Sequence, residues 1–126
     1  MIDIENEVYT QVRSVLPTGT SITSVYVYEP ASFPHVYMYE LKNNNVHQDN
    51  GDEKFASIGY SIEVDTVGDT RKTDAKTIMK LIDTKMLSLG FTRNSATPAP
   101  NQQNLNVYRY IATYDAVTDG TNIYRR

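Results

Sequence analysis

The stretch FASIGYSIEVDTV, residues 55–67, decides the fold because apolar and polar side chains alternate along it. The apolar set is Ala56, Ile58, Tyr60, Ile62 and Val64. The polar set is Ser57, Gly59, Ser61, Glu63 and Asp65. A period of two is typical of a β-strand with one face on the core and the other toward water or a partner. We therefore predict a strand over 55–67.

Other strands are predicted on both sides of this stretch. SITSVYVYEP (21–30) and FPHVYMYELK (33–42) are rich in β-branched and aromatic residues. The second has almost no polar side, so we expect both of its faces to be covered, by this chain or by another. A further strand over 105–116, an Asp119-Gly120 turn and a short arm at 123–125 end the chain.

Two helices complete the predicted architecture. Apolar residues recur at helical spacing over 3–16 and again over 73–89, where Gly90 is a suitable left-handed terminator. Two amphipathic helices need one sheet face to bury their apolar stripes. We therefore predict a single α+β domain of two layers, with both helices on one face of a mainly antiparallel or mixed sheet of about four strands plus the C-terminal hairpin arm.

Two polar segments are predicted to lie outside this framework. NNNVHQDNGDEK (43–54) has Val46 as its only aliphatic residue, and we expect it to be a mobile loop that becomes ordered on docking. TRNSATPAPNQQN (92–104) is rich in Pro, Asn and Gln and is predicted to be an extended connection.

The composition excludes several classes of function. The net charge is −3, so we expect no general affinity for nucleic-acid backbones. The chain has no cysteine, which removes disulfides, thiolate metal sites and a cysteine nucleophile. No apolar run approaches the roughly 20 residues of a membrane span, so no membrane association is predicted. Ten of the 13 aromatic residues are tyrosine, a residue enriched at protein interfaces and also common in strands.

The sequence offers no strong catalytic, cofactor or metal motif. His35 and His47 lack the spacing of paired metal ligands. Glu63 and Asp65 share one strand face at roughly 6–7 Å, a separation that carboxylate hydrolases use but that any such strand produces. Arg109 alternates with Tyr108 and Tyr110, so it lies on the opposite strand face and cannot flank bases stacked on those rings. We expect no enzyme activity and no cofactor, and single-stranded nucleic-acid binding remains an alternative.

Five segments in order resemble the tail terminator, or tail completion, family of long-tailed phages and prophages of Gram-positive bacteria. They are IENEVYTQVRSVLP, SFPHVYMYELKNN, YSIEVDT, AKTIMKLIDTKMLSLGFTRN and VYRYIATYDAVTDGTNIYRR. The Arg-Tyr pair of the family's last strand is matched by Arg109 and Tyr110. The chain departs from the family at Thr113, where a second basic residue often precedes the later tyrosine.

The resemblance implies a non-enzymatic subunit of a hexameric ring in the virion tail or neck, assembled in the host cytoplasm. Its implied partners are other copies of itself, the tail tube protein and the head–tail connector or stopper, with DNA passing through the ring. The alternatives within this class are another neck, tail-tube or minor capsid component. The residues expected at a subunit or tube interface are Tyr37, Tyr39, Lys54, Glu63, Asp65, Leu87, Tyr108, Arg109, Tyr110 and Tyr114.

Overall fold

The strand predicted over 55–67 lies in the middle of a mixed sheet. The computed structural model describes residues 1–26, 30, 32–49, 52–100 and 106–124, and for 45–49, 52–54 and 100 it describes the backbone alone. These residues form two helices and six strands. In chain order they are α1 (Glu5–Ser14), β1 (Ser21–Thr23), β2 (His35–Asp49), β3 (Asp52–Thr66), α2 (Arg71–Leu89), β4 (Thr92–Pro100), β5 (Tyr108–Thr118) and β6 (Ile123–Tyr124).

The sheet order is β1-β2-β3-β5-β4, and the short β6 pairs with the end of β5. The β1–β2 pair is parallel and the other pairs are antiparallel. Because β3 is bonded on both sides, its register fixes which side chains of β2 and β5 share each face. Val64, for example, lies between Val36 on β2 and Tyr110 on β5.

Both helices pack on one face of this sheet, which confirms the predicted two-layer α+β architecture. The alternation of β3 gives this face its apolar residues, and Ile58, Tyr60 and Ile62 are fully buried there. The helices contribute the other half of the core. Its buried helix residues include Val8, Val12, Ala75, Ile78, Ile82 and Met86. Neither described helix combines the length and the apolar character that crossing a membrane requires.

The second helix ends as the sequence predicts. Gly90 has a φ of 108°, in the left-handed region that favours glycine, and the backbone N–H of Phe91 donates to the carbonyl of Met86 at 3.0 Å. Phe91 is fully buried against the core. A side chain at position 90 would also meet Ile123, because an added Cβ would lie 2.9 Å from the Ile123 carbonyl oxygen.

The predicted loop over 43–54 is wrong in its secondary structure. Strand β2 continues to Asp49 and β3 begins at Asp52, and these two residues pair with each other. The two residues between them, Asn50 and Gly51, lie outside the described ones. The mobility predicted for this segment falls partly on residues outside the described ones. The prediction missed these strands because it relied on apolar periodicity, whereas the backbone hydrogen bonds between β2 and β3 form without apolar side chains.

The connection predicted over 92–104 also contains a strand, β4, which pairs with β5. Pro98 and Pro100 lie in it opposite Tyr110 and Tyr108. Proline cannot donate to a ladder, but it is tolerated on an edge strand, where one side of the backbone has no strand partner. This edge position explains why a sequence rich in proline and asparagine is extended and paired. The remaining part of the segment, 101–104, lies outside the described residues.

Candidate subunit interface on the open face of the sheet

The face of the sheet opposite the helices collects the polar positions of β3. There Glu63 lies between Tyr37 on β2 and Ile111 on β5, and Asp65 lies between His35 and Arg109. We call this surface the open face and define it by Tyr37, Tyr39, Glu63, Asp65 and Arg109. In the described parts of the chain, both helices lie on the other side of the sheet. Five of the predicted interface residues are therefore brought together on one surface.

A two-point ion pair lies on the open face where β3 ends and β5 begins. Arg109 Nε donates to Asp65 Oδ1 at 2.8 Å, and Arg109 Nη2 donates to Asp65 Oδ2 at 3.0 Å. Only 10% of the Asp65 side chain and 19% of the Arg109 side chain are exposed. The hydrogen bonds to Asp65 raise the pKa of Arg109, so the guanidinium remains charged. Both oxygens of Asp65 are engaged, and the pair joins β3 to β5 across the sheet.

Glu63 is bound less closely than Asp65. Its Oε1 lies 3.8 Å from Arg109 Nε, beyond hydrogen-bond distance, and its side chain is 12% exposed. Burial raises the pKa of this carboxyl group, Arg109 lowers it, and Asp65 raises it again. Within the described residues, Glu63 therefore retains acceptor capacity that a donor from outside the chain could use. The carboxylate pair noted in the sequence is thus an unequal one, with Asp65 engaged and Glu63 available.

Three tyrosines border the charged cluster. The rings of Tyr37 and Tyr39 stack with centroids 4.8 Å apart, and the ring of Tyr26 meets Tyr37 edge-on at 5.7 Å. Tyr26 is 53% exposed, and Tyr37 and Tyr39 are half-buried. Stacked rings beside a fixed ion pair give a surface that is firm, partly apolar and able to hydrogen-bond, the chemistry of many protein interfaces.

His35 has a structural role at the margin of this surface. Its Nδ1 lies 2.7 Å from Ser21 Oγ and its Nε2 lies 3.2 Å from Thr23 Oγ1, so both ring nitrogens engage strand β1. Burial lowers the pKa of His35, and the charge of Asp65 opposes that shift. Within the described residues, no three His, Asp or Glu side chains are grouped to hold a metal ion. The side chain of His47 lies outside the described ones.

The other predicted interface residues are not on the open face. Tyr108, Tyr110 and Tyr114 all point toward the helices, as the alternation of β5 requires, so Arg109 and Tyr110 do lie on opposite faces. The interface prediction is wrong for Tyr114, which is fully buried and donates from its hydroxyl to Asp83 Oδ1 at 2.9 Å. Tyr108 and Tyr110 pack against the core and are half-buried.

Two interface predictions lie away from the sheet faces. Leu87 is half-buried on α2, on the helix side of the molecule, and stays a prediction. The side chain of Lys54 lies outside the described ones, although its backbone belongs to β3.

Sequence reasoning missed two features of the surface. Tyr26 borders the open face, and no strand alternation marked it, because β1 ends at Thr23. A groove on the helix side is lined by Lys76, Lys80 and Arg93. The spacing of the two lysines, four residues apart, placed them on one helix face, but nothing in the sequence placed Arg93 opposite them.

Comparison with known proteins gives no family assignment. No protein-family model matches the chain, and no curated protein sequence is significantly similar to it.

Proposed function

We propose that this chain is a structural subunit that assembles with copies of itself into a ring. In this proposal the ring caps the tail tube of a long-tailed phage and presents a surface for the head–tail connector. The chain performs no catalysis, and DNA passes through the ring without being bound specifically. Its place is the tail or neck of the virion, after assembly in the host cytoplasm. The open face is the surface that docks an assembly partner.

The observation that carries the proposal is the chemistry of the open face. Within the described residues it holds a partly buried two-point ion pair, a carboxylate with unused acceptor capacity, and three adjoining tyrosines. Within the described residues, no helix covers it. Interfaces combine such aromatic and arginine anchors with a polar margin. A surface of this kind favours a protein partner.

The nature of the assembly rests on the sequence segments that resemble tail terminators. The two-layer α+β fold is consistent with that resemblance, but many unrelated proteins share such folds. The net charge of −3 suits a ring through which DNA slides, because a strongly basic lumen would hold the phosphates. A nucleic-acid-binding module is less well supported, since the tyrosines of β5 point into the helix side of the sheet.

The test is tail completion with purified protein and isolated tail tubes. Light scattering measures self-association, and negative-stain imaging scores rings and capped tubes. The double variant Tyr26→Ser/Tyr39→Ser removes two rings at the margin of the open face while the ion pair stays intact. We expect it to fold normally and to cap few tubes.

Leu81→Ser is the matched control, because Leu81 is also a large exposed side chain, 41% exposed, but lies on α2. We expect this control to cap tubes as the wild type does. The proposal fails if the wild type neither forms rings nor caps tubes, or if the tyrosine variant completes tails normally.

A further inference from the structure

Four carboxylates gather at one edge of the molecule. Asp3 lies just before α1, Glu5 and Glu7 lie in its first turn, and Glu40 lies on β2. The side-chain amide of Asn43 on β2 donates to the carbonyl of Ile2 at 2.6 Å, which holds the start of the chain against this strand. Burial, and then the charges of Glu5 and Asp3, raise the pKa of Glu40. Strand β1 pairs with β2 only at residues 35–37, so in the described chain Glu40 lies on a part of β2 with no outer strand. We call these four residues the acidic edge.

Three cations border a groove at the other edge. The groove has a volume of about 390 Å³ and lies between α2 and β4. Lys76 and Lys80 are exposed on one side, and Arg93 stands on the other. Met79, Ala96 and Tyr110 supply apolar surface between them. We call this surface the basic groove.

Within the described residues, the two lysines of the groove carry positive charge that no carboxylate neutralises. Among the described residues that line it, the one carboxylate is Asp83, which already accepts from Arg93 at 2.9 Å and from the Tyr114 hydroxyl at 2.9 Å. In the described residues, neither lysine ammonium has a carboxylate within ion-pair distance. Like charges four residues apart destabilise a helix by about 0.2–0.5 kcal/mol, so an anionic partner would relieve a repulsion that the free chain carries.

The acidic edge and the basic groove cannot meet within one chain. Strands β3 and β5 separate β2 from β4, which places the two edges about 14 Å apart at three strand spacings. A contact between them therefore needs two copies. It is heterologous, joining different patches, and such contacts produce rings when the rotation closes.

We propose that the acidic edge of one copy docks against the basic groove of the next, and that this contact builds the ring. The inference rests on the proposed ring and adds which surfaces form it. Opposite charges steer the copies together and fix their orientation, while the apolar surface between the cations supplies contact area. The same edge presents like charge to another acidic edge, which disfavours head-to-head pairing.

The test uses complementary charge reversal. The groove variant is Lys76→Glu/Lys80→Glu, and the edge variant is Glu5→Lys/Glu7→Lys. Each variant alone brings like charges together at every contact, so we expect its self-association to weaken about tenfold or more. In the mixture each edge finds a groove of opposite charge, so we expect association to return and to weaken as salt is added. Analytical ultracentrifugation measures the affinities, and native mass spectrometry measures the one-to-one composition.

Two controls reverse charges elsewhere. Lys85→Glu changes α2 on the side away from the groove, and Asp69→Lys changes the turn before α2. We expect both to associate as the wild type does. Circular dichroism checks folding, and Glu5→Gln/Glu7→Gln replaces the edge variant if the lysines unfold α1. With that substitute we expect weaker self-association, and the mixture should restore only the contacts that join an unaltered acidic edge to an unaltered basic groove, so it should form one-to-one pairs rather than closed rings.

The outcomes separate this inference from the proposed function. Normal rings in both charge-reversed variants, or a mixture of them that fails to associate, would overturn the edge-to-groove contact while the ring itself could stand. The edge-to-groove contact would also be overturned if the groove bound inorganic phosphate while the charge reversals left self-association unchanged. That result would indicate a small-anion site. If the rings depended on these charges but never capped tubes, the edge-to-groove contact would be supported and the proposed tail function would be excluded.

Discussion

Replacing Arg109 tests how strongly the open face is built into the fold. Arg109→Met keeps most of the side-chain volume and leaves Asp65 without either of its charge-assisted hydrogen bonds. Removing one partner of a buried ion pair typically costs about 3–5 kcal/mol. Because 19% of the Arg109 side chain and 10% of the Asp65 side chain are exposed, water compensates in part. We therefore expect the free energy of unfolding to fall by about 2–4 kcal/mol.

A double-mutant cycle isolates the pair. Urea unfolding at neutral pH, followed by circular dichroism, gives the free energy for the wild type, Arg109→Met, Asp65→Asn and the double variant. We expect the double variant to lose less than the sum of the single losses by about 1–3 kcal/mol. Arg13→Met is the control, since Arg13 is exposed on α1 and its loss should stay within about 0.5 kcal/mol. A loss below about 1 kcal/mol for Arg109→Met, or additive losses in the cycle, would refute the reasoning.

Four further substitutions test the core, the electrostatics and a turn. The Tyr60 hydroxyl is buried without a hydrogen-bond partner among the described residues, so Tyr60→Phe should be neutral or stabilising in urea unfolding. Tyr114→Phe should cost about 1.5–3 kcal/mol, because the Tyr114 hydroxyl donates to the carboxylate of Asp83. Equal effects of the two substitutions would contradict this. The raised pKa of Glu63 means that its stabilising contribution is present below the ordinary value of 4.5 and is lost as pH rises through the folded pKa. Glu63→Gln should therefore gain stability relative to the wild type as pH rises above 4.5, and a gain confined to pH below 4.5 would contradict this. Gly90→Ala should lower the free energy of unfolding by at least about 1–2 kcal/mol, because φ is 108° and the added Cβ meets the carbonyl of Ile123; an unchanged urea midpoint would show that the turn relaxes freely.

The sequence predicted the elements whose periodicity reflects burial. Strand β3 alternates because helices cover one of its faces, and α2 carries an apolar stripe because it lies on that strand. Gly90 marked the end of α2 because only glycine adopts its φ without strain. In each case a tertiary contact produces a local sequence pattern. The element could therefore be predicted from a single sequence.

The elements it missed are held by backbone pairing. Residues 43–49 and 52–54 form a hairpin with polar side chains, and β4 pairs at an edge despite its prolines. Neither leaves a hydrophobic period in the sequence. The residues of the open face could likewise be predicted only in part. Alternation separated Arg109 from the tyrosines of β5, but the two hydrogen bonds to Asp65 depend on a register between residues 44 positions apart. No local pattern encodes that register.

The open face and the two charged edges can serve different contacts, because they point in different directions. A contact between edges sets neighbouring sheets side by side and leaves the open face of every copy uncovered. In the ring that we propose, these faces would form one continuous band, which would then be open to the proposed tube or connector. The two changes should therefore have separate effects. Charge reversal should weaken ring formation, whereas loss of Tyr26 and Tyr39 should leave rings that cap few tubes. If either change produced both defects together, the edges and the open face would belong to a single interface.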